Sequence, residues 1–292
     1  MSPQGARTGS TEGSGVDRAG LAHRKDAFMK KLTLRLTVFW LAGALAGSAS
    51  LSAAEPLRVG VDTRSPPWAF VPGLDYSRED ATKDPAITSS QLRKLVGLDV
   101  DVAQALGRRL GVPVRFVPVA WFDLEQALIA RRIDIILCAW TPRGATPSEI
   151  ASSKPYAEWG LLTAVRVGDG SIRSFADLAG KRVGHFRSGV VGRTLSAVSA
   201  AKLLVYDSQE KLFDDLKARV VDAVLYDSPY VLWRVANDEA FRVVGEPLNR
   251  LGYHAGVRAA DVELLRQVQT AVEDLVSSGE ARQIQQKWAK AP

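Results

Sequence analysis

The chain has 292 residues, 46% hydrophobic and 24% charged, a balance that excludes a disordered or collagen-like polymer. Its 38 Lys+Arg and 32 Asp+Glu give +6 at pH 7, but 7 of the basic and 3 of the acidic side chains fall in the first 54 residues. The remainder is nearly neutral and has no basic footprint for nucleic acid. One cysteine, Cys138, and three scattered histidines, His23, His185 and His254, rule out a disulfide framework and clustered zinc-ligand spacing.

Met29 to Arg35 is basic, Leu36 to Ala46 is free of charge, and Ser52-Ala53-Ala54 precedes Glu55. This pattern predicts a cleavable secretory signal peptide over 29–54, its apolar stretch too short to span a bilayer. Residues 1–28, rich in Gly, Ser and Thr, read as an extension from a start codon placed too early. The mature chain is expected to begin at Glu55, with no cysteine nearby for lipid attachment.

The 238 residues from Glu55 onward fit two α/β lobes. Leu57-Arg58-Val59-Gly60-Val61 predicts a strand. Asp99 to Leu110 predicts a helix, with Val102, Ala105, Leu106 and Leu110 at helical spacing, Asp99 or Asp101 at its start and Gly111 at its end. A strand follows over 114–117, then a helix over 124–131 and an apolar strand over 133–139 that needs cover on both faces. Cys138, inside that strand, reads as core. The segment Leu128 to Leu137, with Asp134 six residues after Leu128, is echoed by Leu216 to Leu225, with Asp222 six residues after Leu216. One helix-to-strand unit in each lobe accounts for both. Further helices are expected over 229–237 and over 260–288, the latter broken near Ser277-Ser278-Gly279.

No Gly-x-Ser-x-Gly elbow, phosphate-binding loop or dinucleotide fingerprint occurs, so neither catalysis nor a cofactor or metal is expected. Polar and aromatic residues instead gather at strand ends, where open α/β sheets bind ligands: Asp62, Trp121, Trp140, Thr141, Tyr226 and Asp227. Free backbone N–H groups in Ser188-Gly189-Val190-Val191-Gly192 can hold a carboxylate, Asp227 can face an ammonium, and Trp68, Trp121 or Trp140 can cover an apolar body. Asp227-Ser228-Pro229 fits a helix cap equally well.

Leu57-Arg58-Val59-Gly60-Val61-Asp62 with Pro66-Pro67-Trp68, Gly97-Leu98-Asp99-Val100-Asp101-Val102-Ala103, Asp177 to Val183, Asp222 to Asp227 and Ile284-Gln285-Gln286-Lys287-Trp288 together resemble the bacterial family 3 solute-binding proteins over essentially all of 55–292. The resemblance implies an α/β, two-lobe type II periplasmic-binding-protein fold, each lobe a mixed sheet flanked by helices. Two hinge strands would cross near 161–165 and 248–255. Lobe 1 would span 55–162, lobe 2 163–248, and 249–292 would return to lobe 1.

By the same resemblance Asp227 would hold a ligand ammonium, Trp68 and Trp121 would form walls, and Thr141 would supply a hydroxyl. Gly189, Val190 and Val191, with Arg187 just before them, would form the carboxylate turn. The arginine that family members place ten residues before Tyr156 is Thr146 here, with Arg143 as a nearby substitute. The stretch 71–96 is longer than the family's usual link and reads either as a surface insertion or as a lid or docking surface. The implied function is that of a monomeric periplasmic receptor, not an enzyme, that passes a small amino-acid-like or polar solute to an inner-membrane ABC permease. The alternatives are a cyclohexadienyl or arogenate dehydratase on the same fold and a sensor for a periplasmic partner.

Overall fold

The computed structural model describes residues 55–75, 82–187, 191, 194 and 200–289; the expected extension and signal peptide lie outside them. β1 (Leu57–Val61) is buried at all but one residue, in keeping with a strand covered on both faces. β2 (Arg64–Ser65) and β3 (Ala69–Phe70) pair as a short hairpin, and a bridge from Phe70 to Val96 closes the long link behind them. Within that link, α1 (Ser89–Leu92) starts at a reciprocal cap between Thr88 and Gln91.

α2 (Leu98–Leu110) ends at Gly111 in the left-handed conformation, as expected, but its start differs from the sequence reading. The N-cap is Gly97, at φ 144°, and neither Asp99 nor Asp101 caps the helix. A Cβ at Gly97 would lie 2.1 Å from the Trp68 carbonyl oxygen, so only glycine lets the helix approach that segment so closely. The Asp99 N–H donates to the same carbonyl at 2.9 Å, and its carboxylate turns inward instead.

β4 (Val114–Pro118), α3 (Leu124–Ile129) and β5 (Ile135–Ile136) complete the first βα units. β5 is shorter than the expected 133–139 because the chain turns sharply on both sides of it, with Arg131 at φ 59° and Ala139 at φ 51°. Ile133, Leu137 and Cys138 are nonetheless fully buried. The long β6 (Ile150–Arg166) follows, then β7 (Arg182–Phe186), β8 (Lys202–Tyr206), α4 (Gln209–Lys217), β9 (Ala223–Asp227) and α5 (Ser228–Asn237). β10 (Phe241–Arg258), α6 (Val262–Ser277) and α7 (Glu280–Ala289) end the described chain. The break between α6 and α7 falls at the expected Ser278-Gly279.

The sheet order β4-β1-β5-β10-β6-β9-β7-β8 shows the two-lobe plan. β6 and β10 are antiparallel from Arg166↔Phe241 to Ile150↔Arg258, with register shifts between Val244 and Gly256. Parallel strands β4, β1 and β5 join one end of this ribbon through β10, and parallel β8, β7 and β9 join the other through β6. The regions expected as crossings, 161–165 and 248–255, lie within these two long strands. The C-terminal helices then pack on the first lobe: Lys287 Nζ and Trp288 Nε1 donate to Asp101, and Arg109 pairs with Glu280.

The echo between Leu128–Asp134 and Leu216–Asp222 is structural. In each lobe a helix ends, one arginine takes a positive φ (Arg131 at 59°, Arg219 at 63°), and the following aspartate receives an arginine fork from the lobe's first strand. Arg58 donates to Asp134 through its backbone N–H, Nε and Nη2. Arg182 does the same to Asp222. Each guanidinium also reaches the carbonyl of the positive-φ arginine, at 2.8 Å in both lobes.

Candidate functional site

A cavity of about 50 Å³ lies where the strand ends of the two lobes meet. The first lobe supplies Asp62 after β1, Arg64 and Ser65 from β2, Trp68 before β3, Trp121 and Phe122 after β4, and Ala139 after β5. The second supplies Phe186 from β7, residues 207–210 around the start of α4, and Tyr226 and Asp227 from the end of β9.

Rings meet across the cavity. Phe122 stacks on Phe186 at 5.8 Å, and Trp121 meets the same ring edge-on at 6.0 Å. Trp68 stacks over Tyr230 at 6.2 Å and stands edge-on to Tyr226 at 6.4 Å. These quadrupolar faces build a wall that is apolar yet attractive to positive charge.

The charged lining divides into paired and unpaired groups. Arg64 grips Asp62 through Nε at 2.9 Å and Nη2 at 2.8 Å, and its Nη2 also donates to the Lys83 carbonyl at 3.0 Å. Asp62 further accepts the Trp121 N–H at 3.0 Å, so its oxygens are engaged within the protein. Asp207 is paired with Arg187. Asp227 differs. Tyr253 donates to its Oδ2 at 3.2 Å, while its buried Oδ1 has no partner. Burial pushes this carboxyl up to about 8, against the weaker opposing effect of the Tyr253 hydrogen bond. Burial also raises Glu210 above the ordinary carboxylate range. Gln209 holds the Tyr226 hydroxyl through Nε2 at 2.9 Å and leaves its buried Oε1 without a partner. Trp68 Nε1 is likewise buried and unpartnered.

Of the residues singled out in the sequence, Asp62, Trp68, Trp121, Tyr226 and Asp227 converge on the cavity. Trp140 and Thr141 do not. Trp140 is 2% exposed in the core of the first lobe, and its Nε1 donates to Glu125 at 3.0 Å; Thr141 donates to the Gly252 carbonyl at 2.9 Å. The left-handed turn at Ala139 separates the strand end from both of them.

Arg143 pairs with Glu125 at 3.1 Å, 6.0 Å from the centre of the Trp121 ring, and is not on the lining. Thr146 accepts the Arg143 N–H at 2.9 Å. Arg187 is largely exposed and committed to Asp207. Val191 is fully buried, and Gly189 and Val190 lie outside the described residues. Arg64, Phe122, Phe186, Gln209 and Glu210 were missed by the sequence reading. Arg64 had a signal, a cation two residues after the strand-end Asp62. The link behind β3 contributes too: Lys83 accepts from Arg64, and Asp84 accepts the Ala120 N–H at 3.0 Å and pairs with Arg132.

Two lobes on a pair of shared long strands, with a ring-lined and carboxylate-bearing cavity between their strand ends, define a cleft-type binding protein. The family model for bacterial extracellular solute-binding proteins, family 3, matches residues 80–291, and the chain belongs to that family. It is 28% identical to the L-cystine-binding protein TcyJ of Escherichia coli, over 67% of this chain and 74% of that protein. It is 27% identical to the L-arginine-binding protein of Pseudomonas aeruginosa, over 89% of this chain and 96% of that one. Among solved structures, an ancestral arginine-binding protein bound to arginine superposes with a TM-score of 0.65 at 28% identity, covering 81% of this chain and 99% of that one.

Proposed function

We propose that this chain is the periplasmic receptor of an ABC importer, exported by a cleavable signal peptide, which captures a small amino-acid-like or polar solute between its lobes and presents it to an inner-membrane permease. The observation that carries the reading is Asp227, buried at the end of β9 with one oxygen unpartnered and facing a ring-lined cavity. A buried carboxylate without a full set of partners is costly. A ligand that donates to it repays that cost only when the lobes are together. The relatives named above, which bind cystine and arginine, support the amino-acid-like class.

Thermal unfolding of residues 55–292 against amino acids, amines, small carboxylates and prephenate tests the reading. A ligand at about 100 times its Kd adds about 2.7 kcal/mol, which for a chain of this size raises Tm by roughly 5–10 °C. A shift with one compound class that disappears in Asp227→Ala is the expected result. Turnover of prephenate would instead establish the dehydratase alternative.

A further inference from the structure

The seam between the lobes holds a second cavity, roomier than the first: about 250 Å³ against about 50 Å³ for the space beside Asp227. The first lobe contributes Pro66 and the stretch from Phe70 to Asp75 behind β3; the second contributes Glu210 at the start of α4 and Tyr230, Trp233 and Arg234 on α5. Trp68 and Tyr230, stacked at 6.2 Å, stand as a partition with one ring on each lining, and Glu210 belongs to both. Pro72, Gly73 and Asp75 are exposed at the mouth, while Pro66, Val71 and Tyr230 are buried.

The apolar part of this lining is a slot of rings. Phe70 meets Trp233 edge-on at 6.1 Å, and Tyr230 tilts against Trp233 at 5.8 Å. Such walls suit one flat ring, and a volume of about 250 Å³ falls just below the ~300–1,000 Å³ of drug-sized sites.

The polar part is unevenly satisfied. Arg234 Nε is buried without a partner, and its Nη2 lies 3.9 Å from Asp214 and 3.7 Å from Asp238, ion pairs too long to be hydrogen bonds. The guanidinium otherwise rests over the rings of Phe213 and Phe241. A buried donor with no acceptor is costly, and a ligand oxygen removes that cost. On the same lining Glu210 keeps acceptor capacity, since among the described residues one side-chain donor, Ser208 at 3.3 Å, reaches its Oε2. Charge is already balanced there. Asp214, Asp238 and Glu210 all act on Arg234, so an added anion meets their repulsion and an added cation meets the guanidinium.

We infer that the seam cavity is a second small-molecule site that takes a neutral carboxamide carried on a single flat ring. The carbonyl oxygen accepts from Arg234, the amide N–H donates to Glu210, and the ring lies among Phe70, Tyr230 and Trp233. Both lobes line the cavity, so its occupant favours the lobes together and acts as a co-ligand of the solute held beside Asp227. This site is separate from the one on which the receptor reading rests.

Isothermal titration of residues 55–292 at neutral pH with benzamide, benzoate and benzylamine, three rings that differ in charge, tests this. Benzamide should bind, and the two charged rings should bind about tenfold more weakly. Arg234→Gln and Trp233→Leu should each weaken benzamide by about tenfold, as the loss of one hydrogen bond to a charged group or of one ring face does, with cooperative unfolding retained. If one variant fails to fold the other decides, and the charge series stands without either. Equal or tighter binding of benzoate or benzylamine, benzamide binding that a folded variant leaves unchanged, or no benzamide binding at all overturns the proposal. So does benzamide binding that is lost in Asp227→Asn and kept in Arg234→Gln, which places it in the first cavity. None of these outcomes removes the receptor reading, whose test is the Asp227-dependent shift with a solute.

Discussion

The two lobes share one corner built twice, and the difference between the copies shows how the molecule divides rigidity from recognition. In the first lobe Asp134 accepts the Arg58 fork and also Arg258 Nη2 at 3.2 Å; Arg258, only 6% exposed, further donates to the Leu128 and Ile133 carbonyls. In the second lobe, among the described residues, Asp222 accepts the Arg182 fork and no second guanidinium, on a more exposed surface. Five residues further along each copy the chain reaches the cavity. In the first lobe that position is Ala139, a bare Cβ at φ 51°; in the second it is Asp227, a buried carboxylate. The first copy anchors the strand that returns from the other lobe, while the second carries the group that meets the ligand.

Breaking the anchor should therefore cost more than breaking its echo. Asp134→Ala leaves the buried Arg258 guanidinium short of a counter-charge and removes three donors' acceptor from Arg58. Partnerless buried charges of this kind cost about 3–5 kcal/mol, and the remaining Asp261 partner of Arg258 brings the expectation to about 3 kcal/mol. Asp222→Ala should cost at most about 1 kcal/mol, as exposed pairs do. Urea midpoints of the two variants decide this, and equal losses would mean that Arg258 does not add to the first corner. Salt-bridging to Arg58 and Arg258 also holds Asp134 below its ordinary range. The stability it contributes is present above the usual carboxylate range and is lost as pH falls through its lowered value.

A second contrast involves two buried carboxylates, Asp99 behind the Ala139 turn and Asp227 on the cavity. Asp99 is fully satisfied: Tyr156 donates to Oδ1 and the Ala139 N–H to Oδ2, both at 2.7 Å. Asp227 is satisfied at one oxygen only. Asp99→Leu strands a buried hydroxyl and a partly buried N–H and should cost about 2–4 kcal/mol. Asp227→Asn, which removes a desolvated acid and keeps an acceptor for Tyr253, should change stability by less than about 1 kcal/mol in the absence of ligand while removing amine binding. Chemical denaturation paired with calorimetry distinguishes the structural acid from the recognition acid. A large stability loss in Asp227→Asn would show that the second carboxylate is structural as well.

Both acids are raised by burial, Asp99 to about 7 and Asp227 to about 8, so the folded state takes up protons that the unfolded chain releases near pH 4. Their contribution to stability is complete below pH 4 and is lost as pH rises through 7 and then 8. Moving the ligand-free protein from pH 6 to pH 9 should lower its stability by about 1–3 kcal/mol for each group. Asp227→Asn should flatten that slope between pH 7 and 8 and roughly halve it below pH 7. Tyr253 and Tyr226 are the titratable neighbours of Asp227, and both phenols are driven well above their ordinary range, so they stay neutral throughout. An amine that binds the Asp227 carboxylate must displace its proton. Its affinity should fall up to tenfold per unit as pH drops below about 8, with proton release visible as a buffer-dependent binding enthalpy.

The skeleton of this design was legible in the sequence because it is written in local pattern. The apolar run of β1, the helical spacing in α2, the break before Gly279 and the doubled Leu-to-Asp unit each rest on periodicity or on a residue with one conformational role. Strand ends brought Asp62, Trp121, Tyr226 and Asp227 to one place, as an α/β sheet does. Trp140 and Thr141 were assigned to that place because the strand was expected to reach Ala139 in extended form and deliver the next two residues at its end. Nothing in an alanine announces a positive φ. The Trp121 N–H on Asp62 and the isolation of Asp227 were illegible for another reason: each depends on a residue far away in the chain, Trp121 in one case and Tyr253 in the other. Asp99 shows the same limit, since an aspartate at a helix start reads as a cap until Tyr156 and Ala139 are seen to claim it.

Ala139 gives the finest test of the comparison. Its φ of 51° belongs to a region that costs a non-glycine residue about 1–2 kcal/mol. The turn persists because the Ala139 N–H is bound to Asp99 and the residues on either side are fixed, Cys138 in the core and Trp140 against Glu125. Ala139→Gly removes the strain but enlarges the conformational entropy of the unfolded chain by about 0.4–1 kcal/mol, so the net gain should be no more than about 1 kcal/mol. Ligand affinity should stay within threefold, because the Cβ borders the cavity without contributing charge. Ala139→Asp, which copies the second lobe's residue into the first, should do the opposite. It retains the strain and adds a further desolvated carboxylate to the lining, which lowers stability, while a diamine such as putrescine gains affinity relative to ethylamine. If the diamine gains nothing, the two copies do not face the cavity as equivalents, and the resemblance between the lobes ends at the aspartate corner.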